Sequence, residues 1–116
     1  MCGITGIFQG VPSSQALEPA LEQMANAIFN RGPDDSGVWE DSSVGLGLGH
    51  RRLSIVDLSP AGHQPMLSDC GRFVLAFNGE IYNHHALRSA LALSGGPSIA
   101  WKGHSDTETL LRAFTV

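Results

Sequence analysis

Between Val44 and Gly49, apolar side chains and glycines alternate without exception: Val44, Leu46 and Leu48 against Gly45, Gly47 and Gly49. Successive residues of a strand point to opposite faces. The run therefore predicts a strand with side chains on one face and bare backbone on the other. A glycine inside a strand marks a place where another backbone comes close, so this strand calls for a close-packed partner on its bare face.

The other elements are read around that strand. Ile4 to Phe8, between Gly3 and Gly10, predicts a short strand, and Leu17, Leu21, Met24 and Ile28 have the spacing of an amphipathic helix. Pro19 belongs in its first turn, where the missing N–H costs little, and Asn30-Arg31-Gly32-Pro33 ends it. Arg52 to Val56 and Phe73 to Phe77 read as further strands, with Ser59-Pro60-Ala61-Gly62 as a turn between them. Asn83 is placed to cap a helix through Leu87 and Leu91, and Ile99 to Trp101 reads as another strand. Ser105-Asp106-Thr107-Glu108 has the form of a capping box, opening a last helix with Leu110, Leu111 and Phe114 inward. Strands and helices mix without regular βαβ alternation, which predicts an α+β fold. That helix reaches Val116 without a stop signal, whereas domain boundaries fall in polar linkers. A truncated piece is expected.

Bulk properties narrow the function. With 116 residues the chain is at most one small domain. A net charge of -4, with seven scattered Lys and Arg, offers no phosphate-backbone footprint and no face for anionic lipid, so neither nucleic acid nor membrane is an expected partner. No apolar run reaches the length of a membrane span. The N-terminus lacks the pattern of a signal peptide, and two cysteines make no disulfide framework. A reducing, cytoplasmic setting fits a free thiol. The five histidines lack metal-ligand spacing, so no metal is expected.

Chemistry concentrates at the start. Methionine is trimmed when a small residue follows, which would leave Cys2 with a thiol and a free α-amine on one residue. Reference pKa values of about 7.7–8.0 for the amine and about 8.5 for the thiol let one take the proton of the other near neutral pH. That is a nucleophile with its base built in. Cys70, in the turn-like Ser68-Asp69-Cys70-Gly71, is read as structural or incidental.

Four clusters then stand in order: Cys2-Gly3-Ile4-Thr5-Gly6, Asn30-Arg31-Gly32-Pro33-Asp34-Asp35-Ser36-Gly37, Leu48-Gly49-His50-Arg51-Arg52-Leu53-Ser54-Ile55-Val56-Asp57 and Phe77-Asn78-Gly79-Glu80-Ile81-Tyr82-Asn83-His84. Together they resemble the N-terminal glutaminase domain of class II glutamine amidotransferases. The phrases R-L-S-I-V-D-L-S, A-G-H-Q-P-M, N-G-E-I-Y-N and H-S-D-T-E most resemble glutamine-hydrolysing asparagine synthetases. The resemblance implies an N-terminal nucleophile hydrolase with an αββα sandwich, incomplete at the C-terminus, in which residues 2–116 form part of the type 2 domain. It implies that Cys2 attacks the side-chain amide of glutamine, while the Asn78 side chain and the Gly79 N–H stabilise the oxyanion. Arg52 would take the substrate α-carboxylate, with the backbone of Ile55 and Val56 beside it. Asp106 and Glu80 would take the α-ammonium, and Arg51 is left as a solvated surface arginine.

The resemblance assigns Arg31 to Gly37 a supporting role near Cys2 and no chemical step. The ammonia would serve ATP-dependent conversion of aspartate to asparagine in a synthetase domain in cis. ATP and magnesium are expected only in that domain, which is absent here. Ser94-Gly95-Gly96-Pro97-Ser98 lacks the Asp of a pyrophosphate loop, and no nucleotide is expected on it. A different carboxylate acceptor, or a truncated non-catalytic fragment, stands as the alternative.

Overall fold

The computed structural model describes residues 1–55 and 57–115. Strand β1 (Gly3–Phe8) and strand β2 (Asp35–Asp41) flank β3 (Leu46–Arg52) in an antiparallel sheet of order β1-β3-β2, with helix α1 (Glu18–Ala27) between β1 and β2 in sequence. In register, Thr5 and Val38 both face Gly49, and Ile4 and Gly37 both face His50.

The bare face of β3 is where α1 lies. A Cβ on Gly47 would stand 2.6 Å from Leu21 Cδ1, and one on Gly49 would overlap the Thr5 hydroxyl and lie 3.5 Å from the Leu21 carbonyl. Leu17, Leu21 and Ala25 are buried there, and a fully buried Leu contributes roughly 1.5–3 kcal/mol. Pro19 sits in the first turn of α1, and the Glu40 carboxylate of β2 accepts the Leu17 N–H at 2.7 Å. The strand starts at Leu46 and not at Val44, because Gly45 turns the chain at φ +64°, a conformation open to glycine.

The second face of the sheet carries Leu46, Leu48, His50 and Arg52 with Ile4, Phe8, Gly37 and Trp39 beside them in register. Its His50–Arg52 end is covered: the Gln64 backbone and His63 ring pack on Gly37, and His50 meets the Phe77 carbonyl. Towards its other end the face is open, with Phe8 75% exposed. Strands β4 (Met66–Leu67) and β5 (Val74–Leu75) pair antiparallel in a second, two-stranded sheet. Helices α2 (His84–Leu93) and α3 (Asp106–Thr115) pack on one another. The fold is α+β, with antiparallel sheets, α1 packed on the first sheet and α2 packed on α3.

Several elements depart from the sequence reading. β2 is an unanticipated strand. Arg52 ends β3 instead of opening a new strand, and Ile99 to Trp101 is not a strand at all. The run from Phe73 to Phe77 pairs only at Val74–Leu75. Asn83 takes the N-cap position of α2 without a side-chain hydrogen bond. Half of the capping box forms: Ser105 Oγ accepts the Glu108 N–H at 3.1 Å, but the Glu108 carboxylate turns to the N–H groups of Lys102 and Gly103. Leu111 is buried, whereas Phe114 is 72% exposed and stacks edge-on against Phe73.

Candidate functional site

Four distant stretches of chain converge on one cavity of about 360 Å³. Cys2 comes from the lead into β1, and Arg52, Leu53, Ile55 and Asp57 from the end of β3 and the loop after it. Phe77, Asn78, Gly79 and Glu80 follow β5, while Ser105, Asp106 and Thr107 open α3. Every site residue expected from the sequence lines this cavity, apart from Val56, which lies outside the described residues.

The Cys2 wall is held from both sides. Its Sγ accepts the Leu53 N–H at 3.4 Å, and its carbonyl accepts from Arg31 Nε at 3.2 Å. The run from Arg31 to Gly37 builds this support. Gly32 packs directly on the Arg51 backbone, the Asp34 N–H donates to the Arg52 carbonyl at 3.0 Å, and the Asp34 carboxylate accepts the Ser54 N–H at 2.8 Å. The segment that meets the thiol is thereby clamped to the edge of the sheet. Met1, 75% exposed, lines the same cavity.

Arg52 points into the cavity from the second face of β3. It is buried, its Nη1 donates to the Ser59 carbonyl at 3.0 Å, and its guanidinium fills the space left by Gly62. Arg51, one residue earlier, points to the opposite face. It is not the solvated arginine expected: it is buried, donates from Nε to the Gly32 carbonyl at 2.9 Å and stacks over Phe29. Strand alternation separates the two arginines, one to the α1 face and one to the cavity.

Asp57 anchors the loop that follows. Its carboxylate accepts the Ser59 N–H at 2.8 Å, the Ser59 hydroxyl at 2.5 Å and the His104 N–H at 2.6 Å. Burial works to raise its pKa, but these donors and the Arg52 guanidinium outweigh it and bring Asp57 down to about 2. It remains an anion throughout the physiological range.

Asn78-Gly79 is not a hairpin turn. Gly79 is absent from the left-handed region that a type I′ turn demands. A Cβ there would stand 2.7 Å from the tip of the Phe77 ring, so a larger residue displaces that ring. The Phe77 backbone is held by side chains instead of strand partners: its N–H donates to Gln64 Oε1 at 2.7 Å, and its carbonyl lies 3.1 Å from His50 Nε2. Burial lowers the His50 pKa, with the Phe77 carbonyl pulling the other way. Since a carbonyl oxygen only accepts, Nε2 carries the hydrogen and donates. Asp106, buried in the first turn of α3, accepts the Ile81 N–H at 2.8 Å and so fixes the loop after Gly79.

Sequence reasoning missed His50, Asp57, Gln64 and Thr107 as parts of the site. The phrases R-L-S-I-V-D, A-G-H-Q and H-S-D-T-E contain three of them, Asp57, Gln64 and Thr107, and strand alternation puts His50 on the face of Arg52. Nothing in A-G-H-Q points to the partners of Gln64, because Phe77 and Thr107 are remote in sequence. Among the described residues, no cluster of three or more His, Cys, Asp or Glu side chains has the arrangement of a metal site.

Comparison with known proteins shows the family. The glutamine amidotransferase domain family matches residues 1–116. The chain is 40% identical over 116 residues to asparagine synthetase [glutamine-hydrolyzing] 1 of Bacillus subtilis, covering 98% of this chain and 17% of that protein. It is 37% identical to asparagine synthetase B of Escherichia coli, over 98% of this chain and 19% of the relative. It is also 37% identical to amidase chry2 of Gibberella zeae, over 98% of this chain and 18% of the relative. The chain thus spans less than a fifth of the length of each of these three relatives.

Proposed function

Because this chain belongs to the glutamine amidotransferase domain family, we propose that its cavity hydrolyses the side-chain amide of glutamine with Cys2 as nucleophile. The observation that carries the reading is the convergence of Cys2, Arg52, Asn78-Gly79 and Asp106 on one cavity. Loss of Met1 frees the Cys2 α-amine, which takes the thiol proton as Sγ bonds to the amide carbon. The Asn78 side-chain N–H₂ and the Gly79 N–H receive the developing oxyanion; one such donor is worth about 10²–10³ in rate. The proton then goes to the leaving nitrogen, ammonia departs, and water cleaves the thioester to glutamate and restores the thiol.

Arg52 offers the planar fork that a carboxylate takes and binds the α-carboxylate, with Ile55 and Val56 beside it. Asp106 and Glu80 take the α-ammonium. One N–H does not exhaust the acceptor sites of the Asp106 carboxylate. The ammonia serves an ATP-dependent synthetase domain in cis, with aspartate as the acceptor, and ATP and magnesium bind there. The relatives named as asparagine synthetases support that acceptor, while amidase chry2 keeps a different carboxylate as the second reading.

A glutamine-like diazoketone tests the site in the protein as its gene encodes it. Intact mass should show Met1 lost and one adduct on Cys2, and Cys2→Ala should abolish glutamate release. Retained Met1, or an adduct on Cys70 in place of Cys2, would sink the reading.

A further inference from the structure

Both ends of one buried side chain are engaged across this cavity. Gln64 is 5% exposed. Its Oε1 accepts the Phe77 N–H at 2.7 Å, and its Nε2 donates to Thr107 Oγ1 at 3.2 Å. The orientation of the amide follows from chemistry, since a backbone N–H needs an oxygen opposite it and the amide nitrogen is left for the hydroxyl. Phe77 precedes Asn78-Gly79, and Thr107 follows Asp106. Gln64 is itself pinned, its backbone carbonyl lying on Gly37 where a Cβ would overlap it.

From these contacts we propose that Gln64 is a positioning residue that couples the Asn78-Gly79 wall to the first turn of α3. Resting on the function proposed above, this makes head-group recognition at Asp106 and oxyanion stabilisation at Asn78-Gly79 mechanically linked. β5 ends at Leu75, so no strand partner fixes the chain at Phe77. Gln64 and His50 do so instead, one on the N–H and one on the carbonyl. Without Gln64, the N–H of Phe77 is unpaired in the wall of the cavity, and Asn78 and α3 move independently. The coupling needs no contact between the substrate and Gln64. Its effect passes through the residues it holds.

The test uses Gln64→Met, Gln64→Glu and Thr107→Val in the protein as its gene encodes it. Gln64→Met removes both bonds; a misplacement near 1 Å costs on the order of 10²-fold, so kcat/KM for glutamine should fall about 10–100-fold, with kcat lowered and KM raised. Gln64→Glu can accept both the Phe77 N–H and the Thr107 O–H, and should restore the rate to within about fivefold of the parent, a residual loss of roughly 1 kcal/mol or less. Alkylation of Cys2 by iodoacetamide, which uses neither wall, should be the same in all variants. Thr107→Val added to Gln64→Met should cost nothing further, because the link is already broken.

Unchanged kinetics in Gln64→Met, additive losses in the double variant, or iodoacetamide alkylation falling in step with glutamine turnover would each overturn the coupling. Should Gln64→Met fail to fold, Thr107→Val and Gln64→Glu decide between the same outcomes. Cys2→Ala runs alongside. If it turns over glutamine like the parent, the proposed nucleophile is wrong, which is a different failure from that of Gln64.

Discussion

Replacing Gly62 by alanine tests the arginine wall without touching the arginine. Gly62 lies outside the left-handed backbone region, so alanine meets no backbone strain. Its new methyl would land inside the Arg52 guanidinium, overlapping Nη2 and Cζ, with Nη1 at 2.7 Å. Ordinary contact begins at 3.4 Å, so even Nη1 retreats by about 0.7 Å and the other two atoms retreat farther. The obstacle is the far end of a flexible side chain. The fold therefore yields at little expense while the position of the guanidinium is lost. A hydrogen bond to a charged group is worth about 1.5–3 kcal/mol, or roughly 10–150-fold, and a shift near 1 Å costs on the order of 10²-fold. Both routes give a fall of about 10–100-fold in kcat/KM for glutamine. It should be carried mostly by KM, since the α-carboxylate is remote from the reacting carbon. Steady-state glutamate release against glutamine concentration measures it, with thermal melting followed in parallel. Gly96→Ala, where the nearest atom to the new carbon is 3.8 Å away, serves as the control. An unchanged KM at unchanged melting temperature would refute the role given to Arg52.

Two further outcomes follow from the packing and the charges. Gly47→Val places a branched side chain where Leu21 Cδ1 stands 2.6 Å away and should destabilise the fold by about 1–3 kcal/mol, read as a lower urea midpoint. Asp57 has a folded-state pKa of about 2, below its ordinary value of 3.8. Its stabilising contribution is fully present above about pH 4 and drains away as pH falls towards 2. Asp57→Asn should therefore be less stable at pH 7 and show a flatter acid limb between pH 4 and 2 in a urea series; parallel pH curves for parent and variant would contradict this.

The sequence was most readable where local pattern and tertiary demand coincide. The alternation of glycine and leucine in β3 marks the seat of α1, and the spacing of Leu17, Leu21 and Met24 gives that helix its face. β2 escaped because Asp35-Ser36-Gly37-Val38-Trp39-Glu40-Asp41 shows no clean apolar alternation. Its pairing is set by the edge of β3 and by Gly37, which makes room for Gln64. The expected strands at Arg52 to Val56 and Phe73 to Phe77 were cut short for one reason: their backbone groups have other partners. The Leu53 N–H goes to the Cys2 sulfur, the Ser54 N–H to Asp34, and the Phe77 groups to Gln64 and His50. Phe114, inward by helical spacing, is largely exposed and meets the edge of Phe73. The residues placed in the cavity were found through the family's motifs. The side chains that hold them answer to partners remote in sequence, and no local pattern announces such pairings.

The distance along the chain between Cys2 and Asp106 has a consequence for biosynthesis. Translation proceeds at about 5–20 residues per second, so roughly 5–20 s separate the emergence of the thiol from that of the acidic wall opposite it. Through that interval Gln64 has no tie to α3, because Thr107, its far anchor, is still unmade. On the proposed function, a nascent chain therefore carries its nucleophile long before the pocket around it is complete. The cavity gains its last wall only with the arrival of Ser105, Asp106 and Thr107, a delay written into the order of the residues.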